Sequence, residues 1–187
     1  MLVKCSVDTL EYETISHSVT LVPRLEYSIT LLDEIIVILK KKRNDLKKSN
    51  KDLVDDFNEN DQIFLKSIEL ERIVVFSLET LFQVKKRTGN ISSVSSIPEV
   101  LLSSIPMIRT VSAQLFDIVP NCSQMLSEIS VHLGSIVLDS AALTKARFDF
   151  SQSNEESSTL LDKVKLMVDS KISKQYPNLN FFKSCNV

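Results

Sequence analysis

The side chains that most often carry chemistry are few in this sequence, and they are scattered. His17 and His132 stand alone, neither in an HxxxH pair nor beside a cysteine pair, so no metal-ligand set is predicted. The three cysteines, Cys5, Cys122 and Cys185, lie far apart without CxxC spacing. An odd, dispersed set argues against a disulfide framework and suits a reducing cytoplasm. Asp55-Asp56 and Glu155-Glu156 read as exposed turn and helix-start residues, not as buried dyads with separated acidities. There is no GxSxG and no P-loop, and two glycines cannot build a phosphate cradle or a dinucleotide fingerprint. The expectation is a non-enzymatic protein with no catalytic residue, no cofactor and no metal.

What remains is charge. Lys40, Lys41, Lys42, Arg43, Lys47, Lys48 and Lys51 form a basic segment broken by one acid, Asp45. Lys40, Lys47 and Lys51 share one helical face, and Lys41 and Lys48 line the next. Two readings stand. One is contact with anionic lipid headgroups, worth about 1 kcal/mol per cation near the surface. The other is a solvated coiled-coil flank, with Asp52, Asp55, Asp56, Glu59 and Asp61 close enough to cancel much of the field. Nucleic acid is not expected as a partner, because no aromatic residue interleaves the lysines for base stacking. The overall charge of −2 selects no partner, since each half of the chain carries one more acid than base.

The elements that position these residues are helices. A chain of 187 residues with 43% hydrophobic and 25% charged residues is long and apolar enough to bury a core. Two glycines and five prolines are too few for the tight turns of a sandwich or barrel. No signal-peptide pattern is visible, and the strongly apolar run Ile35 to Leu39 is too short to span a bilayer.

From Val22, with Pro23 tolerated in a first turn, the residues Leu25, Ile29, Leu32, Ile36, Leu39, Arg43 and Leu46 recur at intervals of four and three. That is a heptad seam. A polar stretch from Lys47 to Asp61 carries the turn, at Ser49-Asn50 or at Asn58-Glu59-Asn60. A second seam follows at Phe64, Ile68, Glu71, Val75, Leu78 and Phe82, closed by Lys85-Lys86-Arg87 and Gly89. Two seams with a short connection predict an antiparallel pair.

Beyond a serine-rich connector, with Ser95 or Ser96 as N-cap, a helix reads Leu101, Ile105, Ile108, Val111, Leu115 and Ile118. Pro106 should kink it or mark its start, and Pro120 should end it or force a bend. The next helix reads Met125, Ile129, Leu133, Ile136 and Leu143. Arg147 to Asn154 loses the periodicity and reads as a linker. A last helix opens at Ser153 or Asn154 and presents Leu160 or Leu161, Val164, Val168 and Ile172 before Tyr176-Pro177. The expected class is all-α: a long antiparallel hairpin followed by shorter helices. The predicted units are an N-terminal segment over 1–18 and a core over 19–150, with the hairpin at about 19–89 and helices at about 97–147. A linker and C-terminal helix over 151–179 and a tail over 180–187 complete the chain.

This order of features resembles the archaeal ESCRT-III-like cell-division proteins, the CdvB family. Val22-Pro23-Arg24 before a heptad helix resembles the start of that family's first helix, and Ile73 to Leu81 the end of its second. Val111 to Ile136, with Ile118-Val119-Pro120 inside it, is similar to the stretch that becomes helices three and four. Phe148-Asp149-Phe150, then Ser153 to Leu161 and Lys174 to Leu179, is similar to the linker and fifth helix. The resemblance spans roughly Thr20 to Leu179.

The resemblance implies an ESCRT-III-like core with a C-terminal closing helix (Leu161, Val164, Val168, Ile172). It also implies a membrane-facing basic first helix, a cytoplasmic location on the inner face of the cell membrane, and polymerisation with itself or with paralogues. A CdvC/Vps4-type AAA ATPase is an implied partner, direct or through other subunits. Two features depart from the pattern. The hairpin is several turns shorter than usual, and the tail after Leu179 lacks a proline-rich ATPase-recruiting motif. Filament formation is therefore better supported than direct ATPase binding.

Overall fold

A computed structural model describes the backbone of residues 7–54, 62–145 and 150–177, and the side chains of residues 20–51, 62–145 and 151–177. Five α-helices follow one another: α1 Val7–Val54, α2 Gln62–Gly89, α3 Ile97–Leu115, α4 Pro120–Thr144 and α5 Phe150–Gln175, with a 3-10 turn Val94–Ser96 before α3. No strand occurs among the described residues. The class is all-α, as the scarcity of glycine and the 3.6-residue periodicity imply.

α1 and α2 run antiparallel, because Asp33 of α1 pairs with Lys85 while Asn50, further along α1, meets Ser67 and Glu71. α4 runs antiparallel to α1 on its other side. There Arg24 donates to Asp139 and to the Ser135 hydroxyl, and the Tyr27 and His132 rings lie 6.0 Å apart. α3 fills the angle between them, its Leu101, Met107, Ile108, Val111 and Leu115 fully buried. α3 and α4 are stapled by a serine cluster: Ser112 donates to the Ser123 carbonyl and Ser123 to the Ser112 carbonyl, both at 2.8 Å. By length and composition α4 alone among the described helices could cross a membrane, and its Leu126, Ile129, Leu133 and Ile136 are buried in this core.

Several boundaries differ from those expected. α1 begins at Val7, so at the backbone level residues 7–18 are continuous with the hairpin rather than a separate segment, and Pro23 sits within the helix. Pro23 is exposed, and its missing N–H leaves one intrahelical carbonyl without a backbone donor. At about 1.5 Å per residue α1 is ~72 Å long. Ser49-Asn50 is not the turn, because α1 continues to Val54 and Asn50 is buried; the other candidate turn, 58–60, lies outside the described residues.

Gly89 does not adopt the left-handed conformation. α2 instead closes with turn bonds from Asn90 N–H to the Arg87 carbonyl and from Ile91 N–H to that of Thr88. α3 runs unbroken through Pro106 and stops at Leu115, and Pro120 opens α4 as its first residue. Ser96 precedes α3 but does not cap it; its hydroxyl bonds back to the Ser93 carbonyl at 2.9 Å. α5 starts at Phe150, so residues 150–154 are helical where a linker was expected, while 146–149 and the tail from 178 lie outside the described residues.

Candidate functional site

The seam residues divide between two cores. Leu25, Leu32, Ile36, Leu39 and Leu78 are buried in the main core with α3 and α4, and Ile29 and Leu46 pack at its edge. Ile68 and Val75, expected to face α1, belong instead to a second cluster with Phe64 and with Val164, Val168, Ile172 and Tyr176 of α5. A four–three spacing states that a row is buried, not against which neighbour, so both assignments satisfied it. Phe82 is a further correction. It is 38% exposed and lies outside both cores, under the Lys40 ammonium at 5.2 Å in cation–π geometry.

α5 is thus laid along α2 and α3. Val164, Val168 and Ile172 are buried at i, i+4, i+8 spacing, while Leu161 is half-buried against the main core. Polar contacts fix its register. The Ser157 hydroxyl donates to the Ser103 carbonyl at 2.7 Å, where Arg87 also joins Ser103 and Glu156. Further along, Arg72 pairs with Asp169 at 2.7 Å, and Lys171 with Glu79. The ion pairs are partly exposed, so each contributes at most about 1 kcal/mol. The apolar strip and the buried hydrogen bonds carry the docking.

At the far end of α5 lies the feature that periodicity did not identify as functional. Glu71 occupies a heptad position, is fully buried, and is surrounded by neutral donors. Its Oε2 accepts from Asn50 Nδ2 at 2.8 Å and from the Tyr176 hydroxyl at 2.6 Å; its Oε1 accepts from Gln175 Nε2 at 2.9 Å. Ser67 donates to Asn50 Oδ1. Three helices meet on one carboxylate. A glutamate interrupting an apolar row, with Asn50 continuing the Leu39, Arg43, Leu46 row, was the visible signal; the partners, up to 105 residues away, were not.

Burial, with the Glu71 carboxylate as acceptor, pushes the Tyr176 hydroxyl up to about 12. A phenol whose acidity is weakened on folding stabilises the docked state fully below its unfolded value near 10, and that contribution is lost as pH rises through about 12. Spectrophotometric titration should therefore show one tyrosine ionising late, together with loosening of α5. Tyr176→Phe should remove that late step.

The basic residues occupy the outer side of α1. Lys40, Lys41, Lys47, Lys48 and Lys51 are exposed, and Lys42 and Arg43 are half-buried. Arg43 Nε is buried without a hydrogen-bond partner among the described residues. The side chains of the acids expected to screen this cluster, Asp52, Asp55, Asp56, Glu59 and Asp61, lie outside the described residues. His132 packs on Tyr27, Cys122 is buried, and no group of metal-ligating side chains occurs among the described residues. No family model matches the chain, and no solved structure matches it.

Proposed function

We propose that this chain is a filament-forming subunit of an ESCRT-III-like, CdvB-type membrane-remodelling system in archaeal cell division, working on the cytoplasmic face of the membrane. One observation carries the reading: most of the buried face of α5 docks on α2 through a small cluster of its own, with Leu160 and Leu161 at the edge of the main core. Undocking α5 leaves the α1–α4 core intact and bares Phe64, Ile68 and Val75 as a strip for the same helix of a neighbour. Own-chain docking then corresponds to a closed monomer and release to an assembling one. The exposed lysines of α1 supply contact with an anionic surface. Partners in this reading are copies or paralogues of the chain, the acidic membrane, and a CdvC/Vps4-type ATPase reached directly or through other subunits.

The test is sedimentation of purified protein with acidic and with neutral vesicles, followed by electron microscopy. Binding to acidic vesicles with filaments on them is the expected result; discrete particles that stay in the supernatant when acidic vesicles are pelleted would refute it. Reversing Lys40, Lys41, Lys47 and Lys48 to glutamate should weaken vesicle binding by well over tenfold, at about 1 kcal/mol per cation lost. Helicity should be unchanged, since all four side chains are exposed.

A second reading, a soluble adaptor that binds partner helices without polymerising, draws on α4. Its outer face shows Val131 and Leu138 at 67% and 71% exposure. Light scattering separates the two, because an adaptor stays a monomer or a fixed small oligomer when α5 is released.

A further inference from the structure

The outer face of α1 carries a second heptad, unrelated to the core. Thr30, Glu34, Val37, Lys41, Asn44 and Lys48 recur at intervals of four and three, and all are exposed. Val37 is 65% exposed and its neighbour Ile38 40%, and Phe82 lies alongside beneath Lys40. The charges on this face are segregated about Val37. On the N-terminal side stand Glu26, Asp33 and Glu34 without a base between Glu26 and Val37; on the C-terminal side stand Lys40, Lys41, Lys47, Lys48 and Lys51 against Asp45 alone. Glu26, Glu34, Lys41 and Lys48 form no ion pair among the described residues. Asp33 is engaged by Lys85, and Lys40 lies over the Phe82 ring.

We infer that this face pairs with the same face of a second copy, antiparallel, about a two-fold axis between Val37 and Ile38. The charge pattern selects that occupant and orientation. In antiparallel register Glu34 lies opposite Lys41 of the second copy, Glu26 comes within one residue of its Lys48, and the four Val37 and Ile38 side chains meet at the centre. Symmetry makes each contact twice, as an isologous interface requires. Parallel, register-matched pairing sets Glu34 on Glu34 and Lys41 on Lys41, and the repulsion excludes it. A partner of uniform charge would satisfy only half of the face. The inference goes beyond the membrane reading and does not rest on it, since pairing needs no lipid.

Sedimentation velocity of the full chain, without lipid, tests it. The expected result is a concentration-dependent dimer that weakens as salt rises, because exposed charges are screened. Lys41→Glu with Lys48→Glu should weaken the dimer roughly thirtyfold, attraction being replaced by repulsion at four contacts. Adding Glu26→Lys and Glu34→Lys to that variant exchanges every sign and should restore the dimer to within about threefold. Circular dichroism should match in all variants. A chain that stays monomeric at every concentration, an oligomer indifferent to the Lys41 and Lys48 reversal, or a fourfold exchange that fails to restore pairing would each overturn the inference.

Discussion

Replacing Val168 with aspartate is expected to release α5 from the hairpin while leaving the other four helices folded. Val168 is the central residue of the docking strip and nearly fully buried, with Phe64, Ile68 and Val75 facing it. A carboxylate there has no cationic partner within that cluster and must either drive the helix out or remain buried and uncompensated, at a cost of roughly 3–5 kcal/mol. An isolated amphipathic helix of 26 residues with this many polar positions is marginal in water. Its 26 residues should therefore contribute a measurable loss of helicity, and amide exchange should accelerate across residues 150–175 and not in α3 or α4. Leu166→Asp, on the exposed side of the same helix, is the matched control and should change neither. Under the proposed function the Val168 variant also assembles into larger oligomers than the parent does. A released variant that assembles no further than the parent would favour the adaptor reading instead.

Glu71→Ala is expected to have the second-largest effect, and by a different route. Removing the carboxylate leaves Asn50 Nδ2, Gln175 Nε2 and the Tyr176 hydroxyl without the acceptor they share. Buried donors without partners cost about 1–3 kcal/mol each, and local relaxation recovers part of that, so a net loss of about 2–4 kcal/mol is expected. The loss should fall on the junction of α1, α2 and α5 rather than on the root of the bundle. Exchange rates near Asn50 and in the last turn of α5 should rise together, because both ends lose the same acceptor.

A double-mutant cycle with Tyr176→Phe provides the check. Coupling of at least about 1 kcal/mol is expected for two groups in one network, whereas strict additivity would show that the tyrosine bond contributes nothing to docking. Glu71→Gln should be intermediate, since an amide keeps one acceptor and presents donors to donors.

The two variants act on the same helix but read different links. Val168 tests whether apolar burial holds α5 down; Glu71 tests whether polar satisfaction fixes where it sits. Both bear on why the boundary at Phe150 was misread. Residues 150–154 lack an apolar stripe, and the Ser157 hydroxyl, shared between the Ser153 carbonyl of the same helix and the Ser103 carbonyl of α3, ties this turn to the bundle. Tertiary contact extended a helix that local pattern would have started later.

Much of this protein was decided locally. Scarce glycine and the helical spacing of apolar residues from Leu25 to Ile172 were enough to make it all-α and to mark many of its buried positions. These are properties of adjacent turns of one helix, so a single chain segment expresses them. Which row faces which neighbour was settled only by the tertiary structure. Ile68 and Val75 follow the same spacing as Leu78 yet pack on α5, and Phe82 continues that spacing into solvent. The polar junction on Glu71 was likewise beyond local reading, because its donors come from residues 50, 175 and 176 and match it only in space. Hydrophobic burial is non-directional and shows in periodicity; hydrogen-bond complementarity between distant helices is directional and needs the fold to bring its parts together.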